Sequence, residues 1–116
     1  MSELLEVIKI SKKVIYTKHL RKGTFHIHGD KNGGHPALIV EKNDKKNSYK
    51  LLKFTHQARA DRTKLNRNID PIDKRNTYVL NNPIYSKRNK LSKNELSSLS
   101  IDSSEKIIIK IIKRKQ

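Results

Sequence analysis

Three observations predict a mainly β (α+β) fold, in which a small, highly curved antiparallel sheet or barrel is followed by a C-terminal helix. Short apolar stretches rich in β-branched residues recur at close spacing between residues 24 and 86, and turn residues separate them. Helical periodicity is confined to the two ends of the chain. The 116 residues are the usual size of one domain, so strands and helices share a single core.

The predicted domain covers residues 1–116, with an N-terminal extension over 1–21, a β-barrel core over 22–90 and C-terminal helices over 92–115. Apolar residues within 3–20 recur with helical spacing. We predict a helix there, although the β-branched residues among them also suit a strand.

Five short segments of the core have the composition of strands. Each is rich in β-branched, apolar or aromatic residues, and Gly, Pro, Asn or Asp residues bound most of them. Their aromatic side chains are expected mostly in the core, which leaves few rings for stacking on bases. The predicted strands are 24–28, 36–40, 49–54, 77–80 and 84–86.

Polar residues predict the connections and the C-terminal elements. Residues 30–34, with two glycines, predict a turn or loop, and 56–76 predict a long basic surface loop. Capping-box patterns at 92–95 and 102–105 predict the starts of two helices. In the second helix, four isoleucines form the face that we expect to pack on the sheet: Ile107, Ile108, Ile111 and Ile112.

The charge of the chain indicates the kind of partner. Lys and Arg number 27 against 11 Asp and Glu, a formal net charge of +16. The excess is spread evenly, with 12 basic and 5 acidic residues in 1–58 and 15 and 6 in 59–116. A surface that is basic throughout repels itself and favours a polyanion, so RNA or DNA is the expected partner.

Several classes of protein are disfavoured. The absence of Cys excludes disulfides and thiolate metal sites. No apolar run is long enough to span a bilayer, and the first residues lack the basic-then-apolar layout of a signal peptide. We therefore expect a cytoplasmic protein without a membrane partner.

A set of residues suited to metal-free RNA cleavage is present. The 2′-hydroxyl of RNA is itself the nucleophile, so an enzyme needs a proton carrier, a proton donor and cations around the phosphate. His35 precedes one predicted strand, and Thr55 and His56 follow another, so all three meet at one sheet edge if those strands are antiparallel neighbours. We predict these three as catalytic residues, with the following cations binding RNA: Lys53, Arg59, Arg62, Lys64 and Arg67.

Two plainer interpretations of the same residues stay open. The histidines and Thr55 can be ordinary turn and strand-end residues, and the arginines a solvated surface. Alternatively, His26 and His28, which point the same way from a strand, can form a metal site with His35 and His56. Zinc ligands usually come in tighter pairs than this, so we predict no metal and no cofactor.

The order of these segments resembles a known family. Gly33 and Gly34 lead into His35-Pro36 and an apolar strand, and the next strand ends in Thr55. A hydrophobic strand, a short basic strand, a Leu- and Ser-rich turn and a C-terminal helix follow. This order and spacing, over roughly residues 22–112, resembles the MazF/PemK ribonuclease toxins of type II toxin–antitoxin systems, although each motif is short.

The resemblance implies an SH3-like barrel, a homodimer, and metal-independent cleavage of single-stranded RNA, usually mRNA. It also implies inhibition by a cognate antitoxin, typically acidic. Thr55 stands at the position of the family's catalytic Thr or Ser, and His56 follows where a Ser is common. His35 stands where the family usually has a catalytic Arg before Pro.

Two other functions remain as alternatives to the nuclease. A non-catalytic basic module that binds RNA or DNA would carry cations along a groove without bringing His35 and Thr55 together. A protein-interaction or inhibitor protein would use its basic charge against an acidic protein surface.

Overall fold

The computed structural model describes residues 20–30, 33–43 and 45–115, so the helix predicted over 3–20 lies almost wholly outside it. The described residues form six strands and one α-helix, and they are mainly β. The elements are β1 (Phe25–Asp30), β2 (Gly33–Asn43), β3 (Ser48–Thr55), β4 (Arg62–Lys64), β5 (Tyr78–Leu80), β6 (Ile84–Lys87) and α1 (Lys106–Lys113).

The strands pair in an antiparallel ring. Strand β1 pairs with β2 and β2 with β3, while β3 pairs with β6 through its first half and with β5 through its last two residues. The ring closes after β6, where Leu91 bridges His28 of β1 and the Ser92 amide donates to the Ile27 carbonyl at 2.9 Å. The curved antiparallel sheet with a C-terminal helix predicted from the sequence is confirmed.

Two hydrophobic clusters lie on opposite sides of β3. One contains Tyr49 and Leu51, packed with Leu20, Ala37, Ile39 and Leu91. The other contains Leu52 and Phe54, packed under α1 and the loop after β4. Both faces of β3 are therefore covered at its centre, where Leu51 and Leu52 lie in different cores, while the half-buried Lys50 and Lys53 interrupt the apolar residues of the strand.

The predicted helix at 92–95 is wrong, because the first capping box is used for something else. The Ser92 hydroxyl accepts the Ile27 amide at 2.9 Å, which ties this segment to β1 as an extended chain. The second capping pattern does begin a helix, since the Asp102 carboxylate accepts the Ser104 amide at 2.9 Å ahead of a 3₁₀ turn and α1. Capping sequences thus predict a helix start only where no other donor competes.

The buried face of α1 also differs from the predicted one. Ile109 and Ile112 are buried in the core under the sheet, whereas Ile107 and Ile111 are 74% and 56% exposed. Glu105, just before the helix, is buried on the same side as Ile109 and Ile112. Its carboxylate accepts the Asn66 amide and so holds the loop after β4. Glu105, Ile109 and Ile112 share one face at helical spacing.

The glycine-rich turn is shorter than predicted. Gly33 and Gly34 belong to β2, paired with Asp30 and Gly29, so His35 lies inside a strand and not before one. A Cβ built on Gly34 would lie 2.2 Å from the Ile27 Cγ2 atom, so only glycine allows this close approach. The predicted loop over 56–76 contains the short strand β4 and is anchored by buried Leu65 and Ile69.

Replacing Gly34 by Ala should destabilise the protein by about 1–3 kcal/mol, because the new methyl group overpacks against Ile27. Its cross-strand partner supplies the control. A Cβ on Gly29 would meet its nearest neighbour at 3.9 Å, so Gly29→Ala should change stability by less than about 1 kcal/mol. Urea unfolding of both variants measures the difference, and equal losses would contradict the predicted clash.

His26 makes the stability of the closed antiparallel sheet sensitive to pH. Its Nδ1 donates to the Ser92 carbonyl at 3.0 Å and its Nε2 lies 3.0 Å from the Thr24 hydroxyl, across the closure of the ring. Burial lowers the pKa of His26 below its ordinary value of 6.5. The imidazole of His26 therefore takes up a proton less readily in the folded protein than in the unfolded chain.

The free energy of unfolding should consequently fall as pH is lowered from about 7 to about 5, by at most about 1.4 kcal/mol per pH unit from this group. In His26→Gln the slope should be shallower, since the substitution removes the group whose pKa differs between the folded and unfolded chain. Urea unfolding at several pH values tests this. Parallel pH profiles for the two proteins would exclude His26 as the source.

Candidate functional site

His35 and Thr55 lie side by side at one end of the central strand pair. Ala37 of β2 pairs with Lys53 of β3, and continuing that register by two residues sets His35 opposite Thr55. Directly opposed side chains in an antiparallel pair are about 5 Å apart at Cβ. The two residues also line the same two clefts, one on each side of them.

The first of these clefts, here called the basic cleft, has a volume of about 540 Å³. Besides His35 and Thr55 it is lined by Lys53, Gln57, Arg59, Arg62 and Leu80. Three of the five cations predicted to bind RNA are therefore gathered here. The cleft carries positive charge next to a histidine and a hydroxyl.

Arg62 is fixed in the wall of the basic cleft, whereas Arg59 is exposed. The Arg62 Nη1 donates to the Gln57 carbonyl at 2.8 Å, and its Nε lies 3.7 Å from the Asp61 carboxylate. The side chain is 15% exposed, and its Nε makes no hydrogen bond to a described residue. Arg62 thus holds the loop after β3, and its buried Nε has the Asp61 carboxylate nearby but no hydrogen bond to a described residue.

The second cleft, here called the apolar cleft, has a volume of about 400 Å³ and contains all three predicted catalytic residues. Its floor is formed by Pro36, Phe54, Ile69 and Leu99, and its far wall by Asp73, Arg75 and Thr77. His35 and Thr55 therefore stand at the junction of a basic cleft and a largely apolar one.

The Thr55 hydroxyl and the His35 ring, the two hydrogen-bonding groups at the junction, differ in how many hydrogen bonds they already make. The Thr55 hydroxyl oxygen accepts the Gln57 amide at 3.3 Å, which leaves its proton available to an incoming acceptor. The half-buried His35 ring makes no hydrogen bond to any residue that the structure describes. Either ring nitrogen of His35 can therefore serve a ligand in the clefts.

His56 is held differently. Its Nδ1 donates to the Asn76 carbonyl at 2.9 Å, and its Nε2 lies 3.3 Å from the Asp73 carboxylate. Arg75 binds the same carboxylate through two nitrogens at 2.6–3.1 Å, and these hydrogen bonds hold the pKa of Asp73 well below its ordinary value. Both nitrogens of His56 therefore face oxygen atoms, which fixes the orientation of the ring.

Two predicted cations lie elsewhere. Lys64 is exposed on β4, paired with Tyr78. Arg67 lines a third, polar cleft of about 520 Å³ that adjoins the apolar cleft through shared residues, and its guanidinium lies 3.6 Å from Asp102. Hydrogen bonding from Ser104, with the charge of Arg67 beyond it, lowers the pKa of Asp102. The structure does not bring Lys64 and Arg67 to the His35–Thr55 junction.

Three residues that line the apolar cleft were not among the site residues predicted from the sequence. Asp73 and Arg75 lie in an irregular loop, where nothing periodic marks them. Thr77 was assigned to a strand, yet it precedes β5, is 1% exposed, and its hydroxyl has no hydrogen-bond partner among the described residues. A buried unpaired hydroxyl in a cleft wall is a position for a ligand or a water.

The histidines of β1 serve the fold. His26 bonds across the ring closure, and His28 Nε2 lies 3.0 Å from the Ser86 hydroxyl. Over residues 20–30, 33–43 and 45–115 there is no group of three or more His, Asp or Glu residues placed to hold a metal ion. Within the same ranges no helix is long and apolar enough to cross a membrane.

Comparison of the chain with protein-family models, with curated proteins and with solved structures gave no match.

Removing the Thr77 hydroxyl should stabilise the protein. An unsatisfied buried hydroxyl costs about 1–3 kcal/mol, so Thr77→Val should raise the free energy of unfolding by about 1 kcal/mol. Thr63, whose hydroxyl donates to the Asn81 side chain, is the matched control, and Thr63→Val should lower stability by a similar amount. Denaturant unfolding measures both, and a loss in Thr77→Val would show that the hydroxyl is satisfied after all.

Proposed function

We propose that the protein is a metal-independent endoribonuclease that cleaves single-stranded RNA. The observation that carries the proposal is the junction at His35 and Thr55, where a histidine with unoccupied ring nitrogens stands beside a hydroxyl that can still donate. The basic cleft on one side suits the phosphate backbone, and the apolar cleft on the other suits a base.

In the proposed reaction His35 removes the proton from the 2′-hydroxyl of a bound nucleotide. The 2′-oxygen then attacks the adjacent phosphorus, and the bond from phosphorus to the 5′-oxygen breaks. The products are a 2′,3′-cyclic phosphate and a 5′-hydroxyl end. Thr55 donates a hydrogen bond to a phosphate oxygen, a bond that strengthens as charge builds up in the transition state.

His56 is the proposed donor of the proton that the leaving 5′-oxygen takes up. Its Nδ1 donates to the Asn76 carbonyl, which directs its Nε2 towards the Asp73 carboxylate at the edge of the cleft. Because Arg75 already neutralises Asp73 through closer contacts, the Nε2 proton is held over a long distance and can be released. Asp73 and Arg75 are positioning residues in this scheme.

The cations of the basic cleft complete the site. Lys53, Arg59 and Arg62 line the basic cleft with Thr55, whereas His56 lines the apolar cleft. Cations there stabilise the extra negative charge of the phosphorane and bind the flanking phosphates. The role of the family's catalytic Arg, which is His35 here, would fall to one of the two arginines.

The resemblance to MazF/PemK toxins extends this proposal. It adds a cytoplasmic homodimer that acts on mRNA and is held inactive by a cognate, typically acidic, antitoxin. The net charge of +16 supports an acidic inhibitor, because a chain of opposite charge can compete with RNA for the basic cleft.

The test is incubation of the purified protein with a long single-stranded RNA in excess EDTA, followed by sequencing of the ends. We expect discrete cuts that leave 5′-hydroxyl and cyclic-phosphate ends.

His35→Ala and Thr55→Ala should each reduce the rate by at least about a hundredfold, because each removes a group that acts in the transition state. Arg59→Ala should weaken RNA binding and cleavage, whereas Lys22→Ala, an equal charge change at an exposed turn, should not.

Thermal unfolding of each variant establishes that the fold is intact. Wild-type rates in a folded His35→Ala or Thr55→Ala protein would refute the site. Intact RNA that is nevertheless retarded on a gel would favour the non-catalytic binding module. Intact RNA that does not bind at moderate salt would direct the search to protein partners.

A further inference from the structure

A second groove lies at the other end of the β2–β3 pair. Along β3, Ser48 and Thr55 are seven residues apart, a distance of about 23 Å in a strand. The groove has a volume of about 490 Å³ and lies on the outer side of the strands, next to the end of α1. Its lining includes Lys42, Lys45, Lys50, Glu41 and Tyr85.

Tyr85 is the unusual member of this groove. Of the aromatic residues that the structure describes, it is the one whose ring is mostly in solvent, at 61% exposure. It sits on β6 directly opposite Lys50 of β3, so that ring and ammonium stem lie side by side on one face. An exposed tyrosine within a strand has little to contribute to packing and offers a flat surface for a ligand.

The lysines give the described lining of the groove a net positive charge. Three lysines face one glutamate among the described lining residues. Lys50 is also fixed in place, because its Nζ donates to the Lys113 carbonyl at 2.8 Å at the C-terminal end of α1. Two further N–H donors of that ammonium remain for an anion, so the charge is held ready at low entropic cost.

We infer that this groove is a second binding site for single-stranded nucleic acid, in which a base stacks on Tyr85 and the lysines hold the adjacent phosphates. Aromatic rings interleaved with cations are the general means of holding single strands without reading their sequence. The inference rests on the proposed function only in taking RNA as the strand. It adds a second site, whose residues Lys50 and Ser48 lie about 16 and 23 Å along β3 from Thr55, on a different face of the sheet.

The experiment maps binding on the full-length, ¹⁵N-labelled protein with a 2′-O-methyl RNA of about 8 nucleotides. This probe has no free 2′-hydroxyl and stays intact. We expect it to shift two separate sets of amide signals, one over residues 34–36, 53–57 and 62 at the clefts and one over residues 41–50 and 84–87. In Tyr85→Ala the second set should titrate about tenfold more weakly, while the first is unchanged.

Conservative variants separate stacking from charge. Tyr85→Phe should keep the affinity of the second groove, because the ring stacks without its hydroxyl. Lys45→Ala should reduce the dependence of log K on log salt at this groove by about 0.7, the value for one phosphate contact of a single strand. Lys22→Ala, outside the groove, should leave that slope unchanged.

Each outcome bears on one site or both. Shifts at the clefts alone, or a Tyr85→Ala protein that binds at the second groove as tightly as wild type, would overturn the second site. Shifts at the second groove alone would support it and count against RNA binding at His35 and Thr55. No shift at either place would overturn both.

Discussion

The burial of β3 on both faces is the constraint on which the rest of the structure depends. Leu51 and Leu52, adjacent in sequence, are both fully buried and lie in different cores. A strand covered in this way has one register that satisfies both cores, because a slip of one residue would exchange them. Since β3 also pairs with three other strands, its end is a rigid support, and Thr55 is the last residue of that support.

The sequence predicts those parts of the fold that depend on local patterns. Alternation and β-branched residues locate the strands, and the juxtaposition of His35 with Thr55 requires only that two consecutive strands be antiparallel neighbours. The sequence does not predict the features that depend on contacts between residues far apart in the chain. The Ser92 hydroxyl forms no helix cap because the Ile27 amide claims it, and the face of α1 is set by Glu105 and its contact with a loop some 40 residues earlier.

The same distinction applies to the site. One wall comes from strand ends that a pattern can locate, and the other comes from Asp73, Arg75 and Thr77 in an irregular stretch without periodicity. The two walls differ in charge as well. The lining of the basic cleft holds three cations and no carboxylate among the described residues, whereas Asp73 and Asp102, paired with Arg75 and Arg67, line the other two clefts. A uniformly basic composition thus folds into a surface with a positive side and a nearly balanced side.

The contact between Glu105 and Asn66 makes the folding of one wall of the apolar cleft depend on a later segment of the chain. The loop that forms the far wall of the apolar cleft is fastened by Glu105, by the Ser100 amide bound to the Ile69 carbonyl, and by Ile109 and Ile112 packed on Leu65 and Ile69. All of these contacts come from residues 100–112, which follow the loop in the chain, so the far wall of the apolar cleft can form only after that later segment has packed against the sheet.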